Sequence, residues 1–325
     1  MATNSTQAAP VIWLLTDNKP GHRNQLKGLG NRLRVKVGAS LFWLSAPDIR
    51  IPLWRALLAI PPALDKSLPH PDLIIAAGTG THKLLLSLRR LRNTKTLVIM
   101  KPGFPRSWID GAIIPAHDGI APDRDTLITE GVINTVTPLA RITEKPEALL
   151  LLGGPSPHYN WDDDVVFGQV INLIGEYPQW RWTISGSRRT PQALRERVSE
   201  LASLKITVAD PDKTHEDWLN HNIAASRAIW VTPDSMSMAC EAATSGVPTG
   251  LFQLPERSES RVVKGVQQLV EAGHVARWSD HATVMGGKTG QEEPFWEADR
   301  AAQWVIERWI TPRTEKQKRS KRTSQ

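Results

Sequence analysis

The sequence predicts an α/β protein with two doubly wound, Rossmann-like domains that face a cleft. Its 325 residues exceed the size of a usual single domain. Short, nearly continuous apolar runs alternate with longer amphipathic stretches, which is typical of parallel strands buried between helix layers. A polar stretch that contains Pro138 and Pro146 separates these runs into two series. Each series therefore predicts one parallel sheet.

The strands follow from the apolar runs. The first series predicts strands at 11–15, 39–44, 72–78, 96–100 and 111–115, and the second at 148–154, 180–185, 205–210, 228–232 and 249–254. An amphipathic helix at 294–310 is predicted to belong to the second series. We expect a disordered N-terminus at 1–10, a first domain at 11–145, a second domain at 146–311 and a basic disordered tail at 312–325. Ligands of such domains bind at the carboxyl ends of strands.

Composition argues against several classes of protein. No apolar run is long enough to span a bilayer and no secretory signal opens the chain, so we expect a cytoplasmic protein. Of the net charge of +7, residues 313–325 carry six basic residues and one acidic residue, which leaves a nearly neutral body and argues against nucleic-acid binding. The tail could contact an anionic membrane or act as a solubilising extension. The single cysteine, Cys240, excludes disulfides within the chain and cysteine-based zinc sites.

The most informative segment is 228–252, in which a strand, a polar cap, a short helix and another strand follow each other. Asp234 is predicted to cap the helix, and Ser237 and Glu241 to share one helical face with it. The free amides and the positive dipole end at the start of the helix, beside Ser235, can hold a phosphate. The Glu241 carboxylate suits the hydroxyls of a ribose. An ordinary capped crossover helix explains the same segment equally well.

A second polar segment, 16–33, follows the first strand and is predicted to turn at Pro20 and Gly21 as a loop. Its His22 is a candidate general base, because histidine titrates near neutrality and the Asp17 carboxylate could orient the ring. A surface histidine without a catalytic role is the alternative. The segment also carries Lys19, Arg23, Asn24 and Gln25.

Two glycine-containing loops follow other predicted strands. Gly153 and Gly154 lack side chains, so a diphosphate could approach their backbone, and Ser156 could donate a hydrogen bond to it. The loop at 76–83 lacks the spacing of a triphosphate-binding loop and is predicted to be the start of a helix.

The loop after 180–185 is rich in phosphate-binding side chains. Arg188 and Arg189 could clamp a phosphate, and Ser187 could donate to it. Thr190 is predicted to cap the next helix, with Pro191 at the first helical position. This loop and the two around Gly153 and Asp234 place three phosphate-binding candidates in the second domain.

Three other segments have alternative interpretations. The pair His117-Asp118 could position an acceptor hydroxyl or act as an alternative base. The acidic run at 161–165 resembles a metal-binding pattern, but carboxylates at a helix start chiefly interact with the helix dipole, so we predict no metal. The apolar segment 51–64 could pack in the core or contact a lipid acceptor.

These segments resemble the mitochondrial-fission "elongated mitochondria" family through TDNKPGHRNQLKGL, IIAAGTGTHK, IIPAHD, LLLGGPSPHYNW, SGSRRTP and VTPDSMSMACEA, in this order. The resemblance implies a GT-B glycosyltransferase fold with an N-terminal acceptor half and a C-terminal nucleotide-sugar half. It implies donor contacts from Gly153, Gly154, Ser156, Ser187, Arg188, Arg189, Asp234, Ser235, Ser237 and Glu241. It also implies acceptor or catalytic roles for Lys19, His22, Arg23, Asn24 and Gln25.

The residues and the resemblance together predict a glycosyltransferase. It would transfer a sugar from a nucleotide-sugar donor to an envelope glycan or glycolipid such as lipooligosaccharide, with His22 and Asp17 or His117-Asp118 as the base. No cofactor and no metal are predicted. The enzyme would be cytoplasmic or peripheral on the cytoplasmic face of the inner membrane. The alternatives are a GT-B-shaped nucleotide-sugar epimerase without bound NAD, and a non-enzymatic, membrane-associated interaction protein.

Overall fold

The computed structural model describes residues 9–215, 217–257, 260–287 and 293–310. Residues 1–8 of the N-terminus predicted to be disordered (1–10) and the predicted basic tail at 312–325 lie outside the described residues. The chain divides into two compact units. Among the described residues, the first comprises 9–129, 133–135 and 297–310, and the second comprises 130–132 and those within 136–296.

The described residues form eleven strands and ten α-helices. The strands are β1 (Val11–Thr16), β2 (Ser40–Ser45), β3 (Leu73–Ala77), β4 (Lys95–Ile99), β5 (Gly111–Pro115), β6 (Thr126–Thr129), β7 (Glu147–Leu151), β8 (Arg181–Ser185), β9 (Ile206–Ala209), β10 (Ala228–Val231) and β11 (Thr249–Leu251). The helices are α1 (Pro20–Val37), α2 (Leu53–Leu58), α3 (His82–Leu88), α4 (Asp163–Glu176), α5 (Gln192–Ser199), α6 (Trp218–Ala225), α7 (Met236–Thr244), α8 (Arg261–Glu271), α9 (His281–Met285) and α10 (Glu297–Val305).

The first unit is built on a six-stranded parallel sheet in the order β2-β1-β3-β4-β5-β6. Successive side chains of a strand point to opposite faces of a sheet. On one face, Leu15 and Ile74 pack with Leu84 and other side chains of α3. On the opposite face, α1 packs on β1 and β3. Burial on both faces explains why β1, β3, β4 and β5 appear in the sequence as continuous apolar runs.

The second unit contains a five-stranded parallel sheet in the order β11-β10-β7-β8-β9. Leu150 and Trp230 pack on one face, in a core that includes side chains of α4 and α5. Leu149 and Ile229 pack on the other face, with side chains of α7 and α8. The predicted class of two doubly wound, Rossmann-like α/β domains is therefore confirmed.

Two elements differ from the sequence-based expectation. Strand β6 lies at the edge of the first sheet beside β5, and its sequence TLIT is too short to stand out as an apolar run. The C-terminal helix α10, expected in the second domain, belongs to the first unit, where Arg32 of α1 lies 2.6 Å from Asp299. Amphipathicity predicts that a helix packs on a partner but does not identify the partner. In the part of the chain that the structure describes, no helix combines the length and apolarity needed to cross a bilayer.

Candidate functional site

Each sheet has one point at which the strand order reverses, and this is where doubly wound proteins bind ligands. In the first unit the reversal lies between β1 and β3, and in the second between β7 and β10. Asp17 follows β1 and Gly78 follows β3, whereas Gly153 follows β7 and Asp234 follows β10. Asp17 and Gly78 therefore lie at the switch point of the first unit, and Gly153 and Asp234 lie at that of the second.

The first unit pairs His22 with Asp17, as expected from the sequence. The His22 Nδ1 atom lies 2.9 Å from both carboxylate oxygens of Asp17, whose side chain is 5% exposed. With Asp17 ionised, Nδ1 is the donor, and Nε2 is left as an acceptor. This is the tautomer that a general base requires.

His22 is placed by a helix rather than by the expected loop. Pro20 occupies the first turn of α1, so His22, Arg23, Asn24 and Gln25 lie on the helix itself. Proline suits this position because its fixed φ angle is helical and its missing N–H would have had no helical partner. A helix holds the His22 ring more rigidly than a loop would.

The loop after β3 packs closely on this pair. Gly78 has a φ of +88°, and a Cβ atom at this residue would overlap Nδ1 of His22 and lie 2.5 Å from Asp17 Oδ2. Only glycine combines this backbone conformation with such a close approach. The loop continues directly into α3, as predicted.

His82 is a further candidate residue of the first unit, and no sequence pattern indicates it. It is the first residue of α3, and its ring contacts the Phe104 ring edge-on at 4.9 Å between centroids. Burial lowers the pKa of His82, while the negative charge of Asp17 acts in the opposite direction. His82 therefore adds a second imidazole, neutral at pH 7, to the surroundings of Asp17.

Two of the predicted acceptor residues have contacts inside the first unit. The Thr135 hydroxyl lies 3.1 Å from Asn24 Oδ1. Gln25 is buried, and its side-chain nitrogen lies 3.6 Å from the Met100 sulfur. These contacts give both residues a structural role, and their predicted acceptor role stays a prediction.

The remaining candidates of the first unit are spread along its sheet. The Arg23 guanidinium lies 5.2 Å from the centre of the Trp43 ring, and exposed Lys19 immediately precedes α1. His117 and Asp118 form a short helical turn at the end of β5, two strands along the sheet from β3. The strand order therefore favours His22 over His117 as the base at the switch point.

In the second unit, the three predicted loops converge on Asp234. Its buried carboxylate accepts hydrogen bonds from the Gly154 amide at 3.2 Å and from Arg189 Nη2 at 2.7 Å. A Cβ atom at Gly153 would overlap this carboxylate. The loops after β7, β8 and β10 thus meet at Asp234. They can do so because the carboxyl ends of these parallel strands lie at the same edge of the sheet.

This geometry changes the expected role of two groups. The Gly153 amide donates to the Thr232 hydroxyl at 2.7 Å, and the Gly154 amide donates to Asp234. Arg189 is likewise held by Asp234, as well as lying near the carbonyls of Gly154 and Pro155. A diphosphate could use the Gly154 amide only by replacing Asp234 as its partner, whereas the half-exposed Arg189 guanidinium has N–H groups besides the one that Asp234 accepts.

Thr190 joins the first two of these loops instead of capping α5. Its hydroxyl lies within hydrogen-bonding distance of the Leu152 and Gly153 carbonyls and accepts from the Ser187 amide at 2.7 Å. Helix α5 begins at Gln192, and its N-cap is Pro191, which has no side-chain acceptor. The predicted cap is therefore wrong by one position, because the Thr190 side chain is used between loops.

The cap of α7 also differs by one residue from the prediction. Ser235, not Asp234, is the N-cap, and its hydroxyl oxygen lies 3.5 Å from the Met238 amide. Asp234 therefore lies before the helix. Ser237 and Glu241 are half-exposed on α7, and their spacing of four residues places them on one face.

The other predicted donor contacts lie on the same loops. Arg188 is exposed. The Ser187 hydroxyl accepts from the Arg189 amide, and the Ser156 hydroxyl accepts from the His158 amide, both at 3.2 Å. These two serines hold their loops in shape, and Arg188 is the cation that the loop presents outward.

The acidic run at 161–165 forms the start of α4, as expected. Asp162 is the N-cap and accepts from the amides of Asp164 and Val165. Asp163 accepts from the Trp161 ring nitrogen at 2.6 Å. Within the residues that the structure describes, no group of three or more His, Cys, Asp or Glu side chains is arranged to hold a metal ion.

Solved proteins share this fold at low sequence identity. The S. aureus MnaA-UDP co-structure has a TM-score of 0.52 and 12% identity, covering 91% of this chain and 95% of that one. MurG from Acinetobacter baumannii has a TM-score of 0.51 and 15% identity, covering 93% and 99%. The UDP-GlcNAc 2-epimerase from Neisseria meningitidis bound to UDP-GlcNAc has a TM-score of 0.52 and 11% identity, covering 92% and 98%. These similarities establish a GT-B-like fold.

Two sequence comparisons extend over most of the chain. Uncharacterized protein RP120 of Rickettsia prowazekii (strain Madrid E) is 24% identical over 348 aligned positions, which cover 90% of this chain and 97% of that protein. The sequence pattern of the family Mitochondrial fission ELM1 matches residues 20–309. Because that match covers most of the chain, the protein belongs to the mitochondrial fission ELM1 family.

Proposed function

We propose that this protein transfers a sugar from a nucleotide-sugar donor to a hydroxyl group of an envelope glycan or glycolipid. The observation that carries the proposal is the convergence of three loops on Asp234 at the switch point of the second unit. Two proteins of similar fold support a nucleotide as the ligand, since their structures are described with UDP and with UDP-GlcNAc.

The donor would bind to the second unit. Its diphosphate would lie against the start of α7, where the helix dipole favours an anion, and beside the exposed Arg188. Arg189 would turn from Asp234 to the diphosphate. Glu241, two turns along α7, would accept hydrogen bonds from the ribose hydroxyls. Ser237 would contribute a hydroxyl on the same helical face.

The acceptor would react at the first unit. The acceptor hydroxyl loses its proton to Nε2 of His22, and its oxygen attacks the anomeric carbon as the bond from that carbon to the diphosphate breaks. Asp17 stabilises the imidazolium that forms. Arg188, Arg189 and the amides of α7 stabilise the charge of the departing diphosphate, which is the usual role of preorganised donors. The proposal uses no metal and no redox cofactor.

The acceptor class and the location belong to the same proposal. A glycolipid acceptor keeps its lipid in the bilayer, so we place the enzyme in the cytoplasm or at the cytoplasmic face of the inner membrane. Lys19 and Arg23 are the cations of the first unit that would meet an anionic acceptor.

Donor binding is tested first, by thermal unfolding in the presence of a panel of nucleotide sugars. A bound donor stabilises the folded state by about 2.7 kcal/mol at a concentration of about one hundred times Kd. Once a donor is found, Arg188→Ala and Glu241→Ala should each weaken it at least about tenfold, since each removes a charged hydrogen-bonding group. Arg141→Ala and Glu200→Ala, at exposed positions of the same unit, are the matched controls. Unchanged donor affinity in both test variants would contradict the proposed donor site.

Catalysis is tested with variants of the first unit. His22→Gln and Asp17→Asn should lower kcat by about a hundredfold or more, because a positioned general base contributes about that much. Donor affinity should stay unchanged, since both residues lie outside the second unit. If kcat is normal in His22→Gln, another group is the base, and His117→Gln is the next variant to measure.

A second candidate function is nucleotide-sugar epimerisation. It is favoured by the similarity in fold to the Neisseria meningitidis UDP-GlcNAc 2-epimerase. Incubation with a nucleotide sugar alone distinguishes the two activities, because an epimerase forms product without an acceptor and a transferase of this kind needs one.

A further inference from the structure

Large apolar side chains are exposed together on α2 of the first unit. Among the described residues, eleven large apolar side chains are exposed, and five of them lie on α2 or directly after it: Leu53, Trp54, Leu57, Leu58 and Ile60. Leu53 is 61% exposed and Leu58 is 58% exposed, and the buried residue of this helix is Ala56. Surface helices of globular proteins normally turn apolar residues inward and polar residues outward. Clustered exposure of this kind is typical of an interaction surface.

The helix is held in place by neighbouring elements. Arg89, at the end of α3, donates hydrogen bonds to the carbonyls of Ala56 and Leu57. The same guanidinium lies 5.2 Å from the centre of the Trp108 ring, which is itself partly exposed. Arg55 lies 5.4 Å from the centre of the Trp54 ring. The apolar side chains are therefore presented by an anchored helix, with arginines and tryptophans at its border.

Basic residues outnumber acidic residues in the part of the sequence that carries this surface. Residues 46–92 contain seven Lys or Arg and three Asp or Glu, a net charge of +4, although the chain outside its basic C-terminal tail is nearly neutral. Two of the basic residues, Arg50 and Lys83, line a cavity of about 450 Å³ together with Ile51 and Pro52, which lead into α2. An apolar surface beside a cationic pocket is complementary to a layer whose interior is apolar and whose surface is anionic.

We infer that α2 and the adjoining Arg50 and Lys83 pocket dock this protein onto an anionic phospholipid bilayer. Leu53, Leu57 and Leu58 enter the boundary between headgroups and acyl chains, and Trp54 lies at the level of the headgroups. Arg50 and Lys83 contact lipid phosphates. This docking rests on the peripheral location proposed above. Vesicle binding requires neither a sugar donor nor an acceptor. The protein could therefore transfer sugar without binding vesicles, or bind vesicles without transferring sugar.

The first test measures binding of the full chain to vesicles by sedimentation. Vesicles of phosphatidylcholine are compared with vesicles that contain equal amounts of phosphatidylcholine and phosphatidylglycerol. The variant Leu53→Gln/Leu58→Gln should lose at least about tenfold in partition onto the anionic vesicles, since each leucine loses apolar area that the bilayer would bury. The control Val35→Gln/Leu204→Gln removes two exposed apolar side chains elsewhere and should bind like the unmodified chain. Both variants should keep the unmodified thermal unfolding midpoint.

The second test separates the charged part of the surface. Arg50→Gln/Lys83→Gln should weaken binding to the phosphatidylglycerol vesicles by about twenty-five-fold, which is about a factor of five for each lost cation near the surface. Binding to phosphatidylcholine should not change. Added salt should weaken binding of the unmodified chain and have less effect on this variant, because salt screens the charges that the variant lacks.

Insertion can be followed at one site because Cys240, the single native cysteine, is buried. Leu57→Cys labelled with an environment-sensitive fluorophore should shift to the blue on anionic vesicles, and labelled Val35→Cys should not. Equal vesicle binding by the Leu53→Gln/Leu58→Gln variant and its control would overturn the inference and leave the basic residues after 312 as the membrane contact. A concentration-dependent dimer that only this variant loses, or binding to a protein partner without any to vesicles, would also overturn it.

Discussion

Burial determines the chemistry of individual side chains near β1 and β3. Asp17 is almost fully buried, and His22 Nδ1 contacts both of its oxygens, so the carboxylate selects one tautomer of the ring. His82 lies near the same carboxylate but is dominated by its own burial, which lowers its pKa. Two histidines beside one aspartate therefore differ in role: one is oriented by the charge, and the other is kept neutral by its surroundings.

His82 gives a prediction on pH dependence. Because its pKa is lowered from 6.5 in the folded protein, the unfolded state binds more protons than the folded state as the pH falls below 6.5. Acidification through that range should therefore cost stability, and His82→Asn should lose less than the unmodified chain. The measurement is the thermal unfolding midpoint across a pH series, with exposed His70→Asn as control. Identical pH dependence of the unfolding midpoint in His82→Asn and the unmodified chain would show that burial does not lower the pKa of His82.

At the scale of elements, some side chains next to helices hydrogen-bond to neighbouring loops and do not cap their own helix. Thr190 and Asp234 were both predicted as helix caps, and in the structure both connect loops instead. Sequence patterns recognise a short polar residue before a helix, but they do not show whether a nearer acceptor or donor lies across the sheet edge. In the loops after β7 and β8, the Thr190 hydroxyl bonds to groups of both loops and does not cap α5.

Thr190→Val tests this connection at nearly constant volume. It should lower the free energy of unfolding by about 1–3 kcal/mol, because the Ser187 amide loses its acceptor and buried carbonyls lose a donor. Donor affinity should fall as well, since the loops after β7 and β8 would no longer be held together. Thr207→Val, at an exposed position of β9, should be close to neutral. A stability equal to that of the control would show that the connection contributes nothing.

At the scale of the whole molecule, the chain returns to its first unit after completing the second. Helix α10 places Asp299 against α1, where Arg32 and Lys36 lie 2.6 Å and 3.1 Å from its carboxylate. The following turn brings Trp309 beside Gly111 at the start of β5. The last described residues therefore complete the core of a unit that began with the first strand.

A double-mutant cycle on Arg32→Ala and Asp299→Ala should measure how strongly the ion pair between α1 and α10 stabilises the first unit. We expect a coupling energy of about 1–2 kcal/mol, because both side chains are mostly buried and the hydrogen bond is charge-assisted. The same cycle on the exposed pair Arg141 and Glu144 should give almost none. The measurement is chemical denaturation followed by circular dichroism. Equal coupling in the two cycles would mean that α10 is held by its apolar face alone.

The sequence by itself determined the strands, the fold class and the family. Ten of the eleven strands are visible as apolar runs. Most of these ten are buried on both faces of their sheet, and such a strand must be apolar along most of its length. The pairing of His22 with Asp17 was also predictable, since the two residues are close in the chain.

Only the tertiary structure decided the strand order, and with it which loops share an edge. His82, the Arg189 to Asp234 ion pair, strand β6 and the packing of α10 on α1 all depend on residues far apart in sequence. Periodicity and capping patterns show which side of a segment is buried or capped. They do not show which other segment packs against it. The same limit applies to α2, whose apolar composition is equally compatible with a core and with the exposed surface that the structure shows.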